Sequence, residues 1–200
     1  MLMQELEQLK LNLAESELER ELRCLELHSG ASLKTRVTTD ECELIVTGQP
    51  KTFPQIISII EHLPDNSIPL KRIIALEDLL IFINSFEEAT DKLMLVSIQN
   101  YIIESMKIHI PEVQIRAFTI AKKICENQQR MAQSIVESKA INNVLLSLYT
   151  RNTILKYSAL RLIRSICTFA ETLPEISKYN VLETIIDTTQ NGTFLLKGRL

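Results

Sequence analysis

Three histidines, four cysteines and the carboxylate pairs Asp40-Glu41 and Glu87-Glu88 are the side chains considered first for chemistry. His28, His62 and His109 are far apart, each near the end of a helical pattern. An imidazole there interacts well with the negative end of the helix dipole, and three scattered rings do not make a metal site. Cys24, Cys42, Cys125 and Cys167 lack the close pairing of a zinc or redox motif. At least three sit within apolar helical patterns, and they read as free, buried thiols rather than disulfides. Asp40-Glu41 and Glu87-Glu88 stand in loops or at helix starts, where acidic residues are favoured for their own sake. The chain has no GxxxxGK[ST], no GxGxxG, no HExxH and no serine in a nucleophile-elbow context. These residues predict a protein that is not an enzyme and takes no cofactor, metal or small-molecule substrate.

Charge is the more informative polar feature. Residues 2–27 carry seven Glu against Lys10, Arg20 and Arg23, whereas residues 113–165 carry nine basic residues against Glu126 and Glu137. Within the basic segment Arg116, Thr119, Lys123 and Asn127 recur at helical spacing on one face. Arg161 and Ser165 fall at the positions equivalent to Thr119 and Lys123 about forty residues later. Such a face is either a solvated surface or a docking groove for an acidic partner. On the second reading the partner-binding residues are Arg116, Thr119, Lys123, Arg161 and Ser165. Nucleic acid fits less well: the net charge is −3, aromatic residues make up 5% of the chain, and none interleaves with these basic positions.

The elements that must carry this face follow from composition. The 200 residues include only four Gly, six Pro and no Trp, with 46% apolar residues. Gly and Pro together fall well below the usual share of about 12%, so phosphate loops, hairpins and sheet corners lack their raw material. The chain is predicted to be all-α. No apolar run reaches the roughly 18 residues of a membrane span, and the acidic start lacks the basic and apolar regions of a signal peptide. A cytoplasmic protein is expected, with nuclear residence also open.

Three regions are expected. Residues 1–28 contain a leucine stripe through Leu2, Leu6, Leu9, Leu13, Leu18, Leu22 and Leu25, read as an amphipathic capping helix or a short dimer zipper. Residues 29–52 form a long connection with an extended piece at Glu43–Val46. From 53 to 200 short helices follow one another. They are PQIISIIEHL, IPLKRIIALEDLLIFINSF, Ala89–Lys107, the helix opened by Pro111, Met131–Tyr149, Ile154–Ala170, and a pair from Pro174 to Gln190.

The helices repeat. AFTIAKKIC at 117–125 aligns with ALRLIRSIC at 159–167, pairing Ala117 with Ala159, Lys122 with Arg164 and Cys125 with Cys167. Beyond one deleted loop residue Ile135 meets Ile176, Ile141 meets Leu182 and Val144 meets Ile185. Leu76, Leu79, Leu80 and Ile83 form a fainter earlier copy. A helical period of 41–42 with small residues at the contacts belongs to armadillo/HEAT-like repeats, a right-handed α-solenoid of short antiparallel helices. NGTFLLKGRL begins another repeat helix, so the 53–200 region is expected to be cut short at its C-terminal end.

Glu112–Gln190 resembles armadillo repeats, but the Trp and Asn four apart of importin-like members are replaced here by Thr119 with Lys123 and Arg161 with Ser165. HIPEVQIRAFTIAKKICEN, the helix through Ser134–Leu148, TILKYSALRLIRSI and LERELRCLELHS resemble more closely the proteasome base-assembly chaperone family of the 26S proteasome non-ATPase regulatory subunit 5 type. That resemblance implies a non-catalytic chaperone that binds the C-terminal domain of one ATPase subunit and leaves before the particle is complete. It brings no site residues with it. The alternative is a generic armadillo or HEAT scaffold, such as an adaptor in trafficking or on the cytoskeleton.

Overall fold

A computed structural model describes residues 36–38, 43–45, 48–61, 68–96 and 98–191. The expected capping helix over 1–28, most of the connection and the final repeat start at 192–200 lie outside those residues. The described part is mostly helical, as the scarcity of Gly and Pro requires. It opens with a small antiparallel ribbon, β1 (Arg36–Thr38) paired with β2 (Glu43–Ile45), Val37 opposite Leu44. The extended piece read at Glu43–Val46 thus has a partner strand in the β-branched run Val37-Thr38.

Ten α-helices follow among the described residues. They are α1 (Phe53–Glu61), α2 (Pro69–Ser85), α3 (Ala89–Leu95), α4 (Gln99–Lys107) and α5 (Pro111–Cys125). After them come α6 (Gln129–Glu137), α7 (Ile141–Leu146), α8 (Thr153–Ile166), α9 (Leu173–Ile176) and α10 (Val181–Asn191). Tight turns at Ser147–Tyr149, Ala170–Thr172 and Ser177–Tyr179 extend or join the short ones. The long helices α2, α5 and α8 begin at residues 69, 111 and 153, a constant step of 42. Pro69 and Pro111 open the first two, at a position where the missing N–H is not needed. Asn152 opens the third, its Oδ1 accepting from Leu155 N at 3.0 Å.

Two expected helices divide. Ala89–Lys107 breaks between Leu95 and Gln99, and Met131–Tyr149 breaks around Lys139, whose φ of 60° ends the run. Both breaks keep the apolar residues in phase, so spacing alone reads straight through them. The 154–170 helix stops earlier than expected, at Ile166, where Thr172 Oγ1 donates to Ile166 O at 2.8 Å. Asn180, at φ 50°, turns the chain into α10 as Lys139 does into α7.

The core is centred on α5. Ten of its fifteen residues are buried, because α2, α4, α6 and α8 all pack against it. Ala117, Ala121 and Ala159 have zero exposure and bring the long helices close, while Phe118, Ile120, Ile124, Leu162 and Ile166 fill the space between them. Each large side chain buried this fully contributes about 1.5–3 kcal/mol. Polar ties add orientation: Arg72 Nη1 donates to Ser105 Oγ at 3.1 Å between α2 and α4, and Gln114 Nε2 to Met106 O at 3.2 Å between α5 and α4. With so much of α5 covered, its polar outlet is the edge carrying Thr119, Lys122 and Lys123.

Candidate functional site

The five residues expected on one docking face separate in the structure. Arg116 leaves it altogether. In the early turns of α5, where α2 presses against it, its Nε donates to Glu77 Oε1 at 2.8 Å and its Nη2 bonds the same oxygen. Nη1 donates to Glu112 O at 2.8 Å. With both partners almost fully buried, this is a rivet between α2 and α5, and removing one partner would strand a buried charge at a cost of about 3–5 kcal/mol. A face recruited for docking needs accessible cations, and Arg116 is not one.

Thr119, one turn on, is half-buried and turns its hydroxyl back onto its own helix, Oγ1 to Ile115 O at 2.7 Å. Lys123 is half-buried in the last turn of α5. Arg161 is half-buried on α8, its guanidinium 5.6 Å from the centre of the Tyr157 ring, a cation–π contact that fixes its direction. Ser165 is buried, and its carbonyl accepts from Thr168 Oγ1 at 2.7 Å.

What the structure does bring together is a cleft of about 380 Å³ where the C-terminal halves of α5 and α8 run side by side. Its lining consists of Lys122 and Glu126 from the α5 end with Arg161, Arg164, Ser165 and Thr168 from the α8 end. Arg161 and Ser165 were expected in such a site; Arg116, Thr119 and Lys123 are not part of its wall. Lys122 and Arg164 are the cations that spacing on a single helix missed. Their signal lay in the repeat itself, since the two occupy equivalent positions 42 residues apart. Packing of α5 against α8, which begin 42 residues apart, brings equivalent residues side by side, whatever stripe they form along one helix.

Charge in the cleft is unbalanced, three cations against Glu126. Lys122 Nζ lies 2.6 Å from Glu126 Oε1, an i,i+4 pair with the lysine mostly covered and the glutamate half exposed. Such a pair is worth only about 0.3–0.5 kcal/mol. Basic side chains in the last turn of a helix oppose the negative dipole end, which explains their local stability but not their convergence on one concavity.

The thiols that follow this stretch on α5 and α8 are both shifted against ionisation. Cys125 is fully buried, and burial, with Glu126 adding to it, pushes its thiol up to about 12. Burial also raises the half-buried Cys167. Reactive cysteines need the opposite shift. Among the described residues no group of three His, Cys, Asp or Glu could hold a metal ion, and no helix is long and apolar enough to cross a membrane. His109 is exposed beyond the end of α4, while His28 and His62 lie outside the described residues.

A second surface is apolar. Leu146 and Tyr149, at the end of α7 and in the turn after it, are exposed, as are Leu182 and Ile186 on α10, which packs against that same turn. No family model matches the chain, and no curated protein or solved structure matches it either.

Proposed function

We propose that the chain is a non-catalytic, protein-binding solenoid of the armadillo/HEAT type, right-handed and built from short antiparallel helices. The observation that supports this reading is the constant step of 42 between the starts of α2, α5 and α8, with each packed on the next. A helix ladder of this kind gives a binding protein an extended surface without any catalytic machinery. Through the sequence resemblance the reading extends to an assembly chaperone for the base of the 26S proteasome regulatory particle. In that role it holds the C-terminal domain of an ATPase subunit, in the cytoplasm or the nucleus. The docking surface is the basic edge where Lys123 and Arg161 stand, without Arg116.

Affinity purification of the tagged chain from its source cell, read by mass spectrometry, tests the partner. Proteasomal ATPase subunits without mature particles are the expected recovery. Recovery of tubulin, vesicle coats or importins instead would replace the chaperone with the adaptor reading. Reversing Lys123 and Arg161 together to Glu should reduce recovery at least tenfold, since like charges then face an acidic partner. Unchanged recovery would move the docking surface elsewhere, with the apolar patch of Leu146, Tyr149, Leu182 and Ile186 the next place to mutate.

A further inference from the structure

We infer that the outer face of α8 is a docking seat for the chain's own leucine stripe, in particular its second half, residues 13–27, which lies outside the described residues. The inference goes beyond the docking reading above and stands without it. It starts from a difference between equivalent residues. Ile115, Phe118, Lys122 and Cys125 form one line along α5, and Tyr157, Leu160, Arg164 and Cys167 form the same line 42 residues later on α8. Ile115, Phe118 and Cys125 are buried, whereas Tyr157, Leu160 and Cys167 are half-buried.

The ion pair to α2 fixes the direction of that line. Arg116 reaches Glu77 of α2, and Phe118 and Cys125, two and nine residues on, stand about half a turn round the helix from it. They therefore lie on the side of α5 away from α2, and α8 is the next member of the series that packs there. Ser158, the equivalent of Arg116, is buried in its turn. Leu160 and Cys167 thus lie on the side of α8 away from α5. The line that is closed over on α5 is only partly covered on α8, and continuing the α5–α8 interface by one more step requires another helix.

Charge selects the helix. Lys156 and Arg164 stand one turn before and one turn after Leu160, and α8 contains no acidic residue. Arg161, engaged by the Tyr157 ring, plays no part in the choice. Residues 13–27 supply the complement: Leu18, Leu22 and Leu25 at helical steps, with Glu15, Glu17, Glu19, Glu21 and Glu26 against Arg20 and Arg23. Other exposed apolar residues adjoin acids that would repel such a segment, Phe86 next to Glu87 and Glu88, and Leu182 and Ile186 next to Glu183 and Asp187. Length and reach agree as well. As a helix, residues 13–27 span about 22 Å, against about 21 Å for α8. Strand β2 touches α5, and the stretch from Leu27 to Arg36 of the ribbon extends up to roughly 30 Å, well beyond the spacing of about 10 Å between packed helices.

Cys167 lies in the seat and reports on it. Iodoacetamide labelling of the whole chain, resolved by site with mass spectrometry, tests the inference. Replacing Leu18, Leu22 and Leu25 together by Gln keeps every charge and a good helix former at each position. Cys167 should then label about fivefold faster than in the parent, while Cys125 keeps its rate. The same replacement at Leu2, Leu6 and Leu9 should leave Cys167 as it is. An unchanged Cys167 in the first variant overturns the inference. So does a rise at both thiols, because the substitutions have then loosened the packing of α5 on α8 and not uncovered α8. If Leu195→Gln with Leu196→Gln frees Cys167 and the stripe variant does not, the seat belongs to the end of the sequence and the inference falls. Docking within one chain is independent of concentration, so protection that fades on roughly hundredfold dilution assigns the stripe to a second copy and also overturns it. None of these outcomes turns on which partner the chain recovers from cells.

Discussion

The hydroxyl of Tyr101 is buried on α4 with no hydrogen-bond partner among the described residues, while the Arg72 guanidinium of α2 lies 5.1 Å from the centre of its ring. The ring contact is useful and the hydroxyl is a liability, since a buried polar group without a partner costs about 1–3 kcal/mol. Burial raises its ionisation to about 12, against the opposing pull of Arg72, from an ordinary value of 10.0. Between those two values the folded chain keeps a proton that the unfolded chain loses, so stability falls as pH rises through that window. Tyr101→Phe keeps the cation–π contact and removes both penalties. Thermal unfolding should show a gain of about 1 kcal/mol at neutral pH, or roughly 2–4 °C for a chain of this size. It should also show a shallower decline above pH 10. A loss of stability would mean that the hydroxyl has a partner after all.

At the scale of elements, α8 depends on one side chain for its start. Asn152 accepts from the Leu155 amide, whereas α2 and α5 begin on Ile68 and Ile110 with no side-chain cap and rely on proline. Asn152→Ala should therefore cost about 1 kcal/mol in urea unfolding, and an Asn152→Ser variant should recover most of it. The long helices were legible in the sequence, because proline at a helix start and apolar spacing are local signals. The breaks at Lys139 and near Val96 were not, because a turn that preserves the phase of the buried residues leaves the pattern intact. Arg116 was misassigned for a related reason. Its stripe with Thr119 and Lys123 is real, but the stripe runs from an end pressed onto α2 to an end open to solvent. Its partner Glu77 is 39 residues away, and no periodicity announces it. The cleft was half legible: Arg161 and Ser165 were read as the equivalents of Thr119 and Lys123 one repeat later, whereas Lys122 and Arg164, aligned by the same comparison, stand off that stripe and were not read as part of the face.

For the molecule as a whole, the equivalence of Cys125 and Cys167 across two repeats provides a clock. Only a thiolate is alkylated, and both thiols are shifted against ionisation, Cys125 to about 12 and Cys167 less severely in its half-buried position. Cys125 sits on the helix that four neighbours enclose, so reagent reaches it only when that packing opens. Site-resolved mass spectrometry during iodoacetamide treatment should record Cys167 modified at least tenfold faster than Cys125, and equal rates would mean that the two helices open together. A bound partner that clamps α5 to α8 would then slow both labels at once. The two sulfurs thus let the fraying of α5 from α8 be timed with the protein's own side chains, with no probe residue introduced.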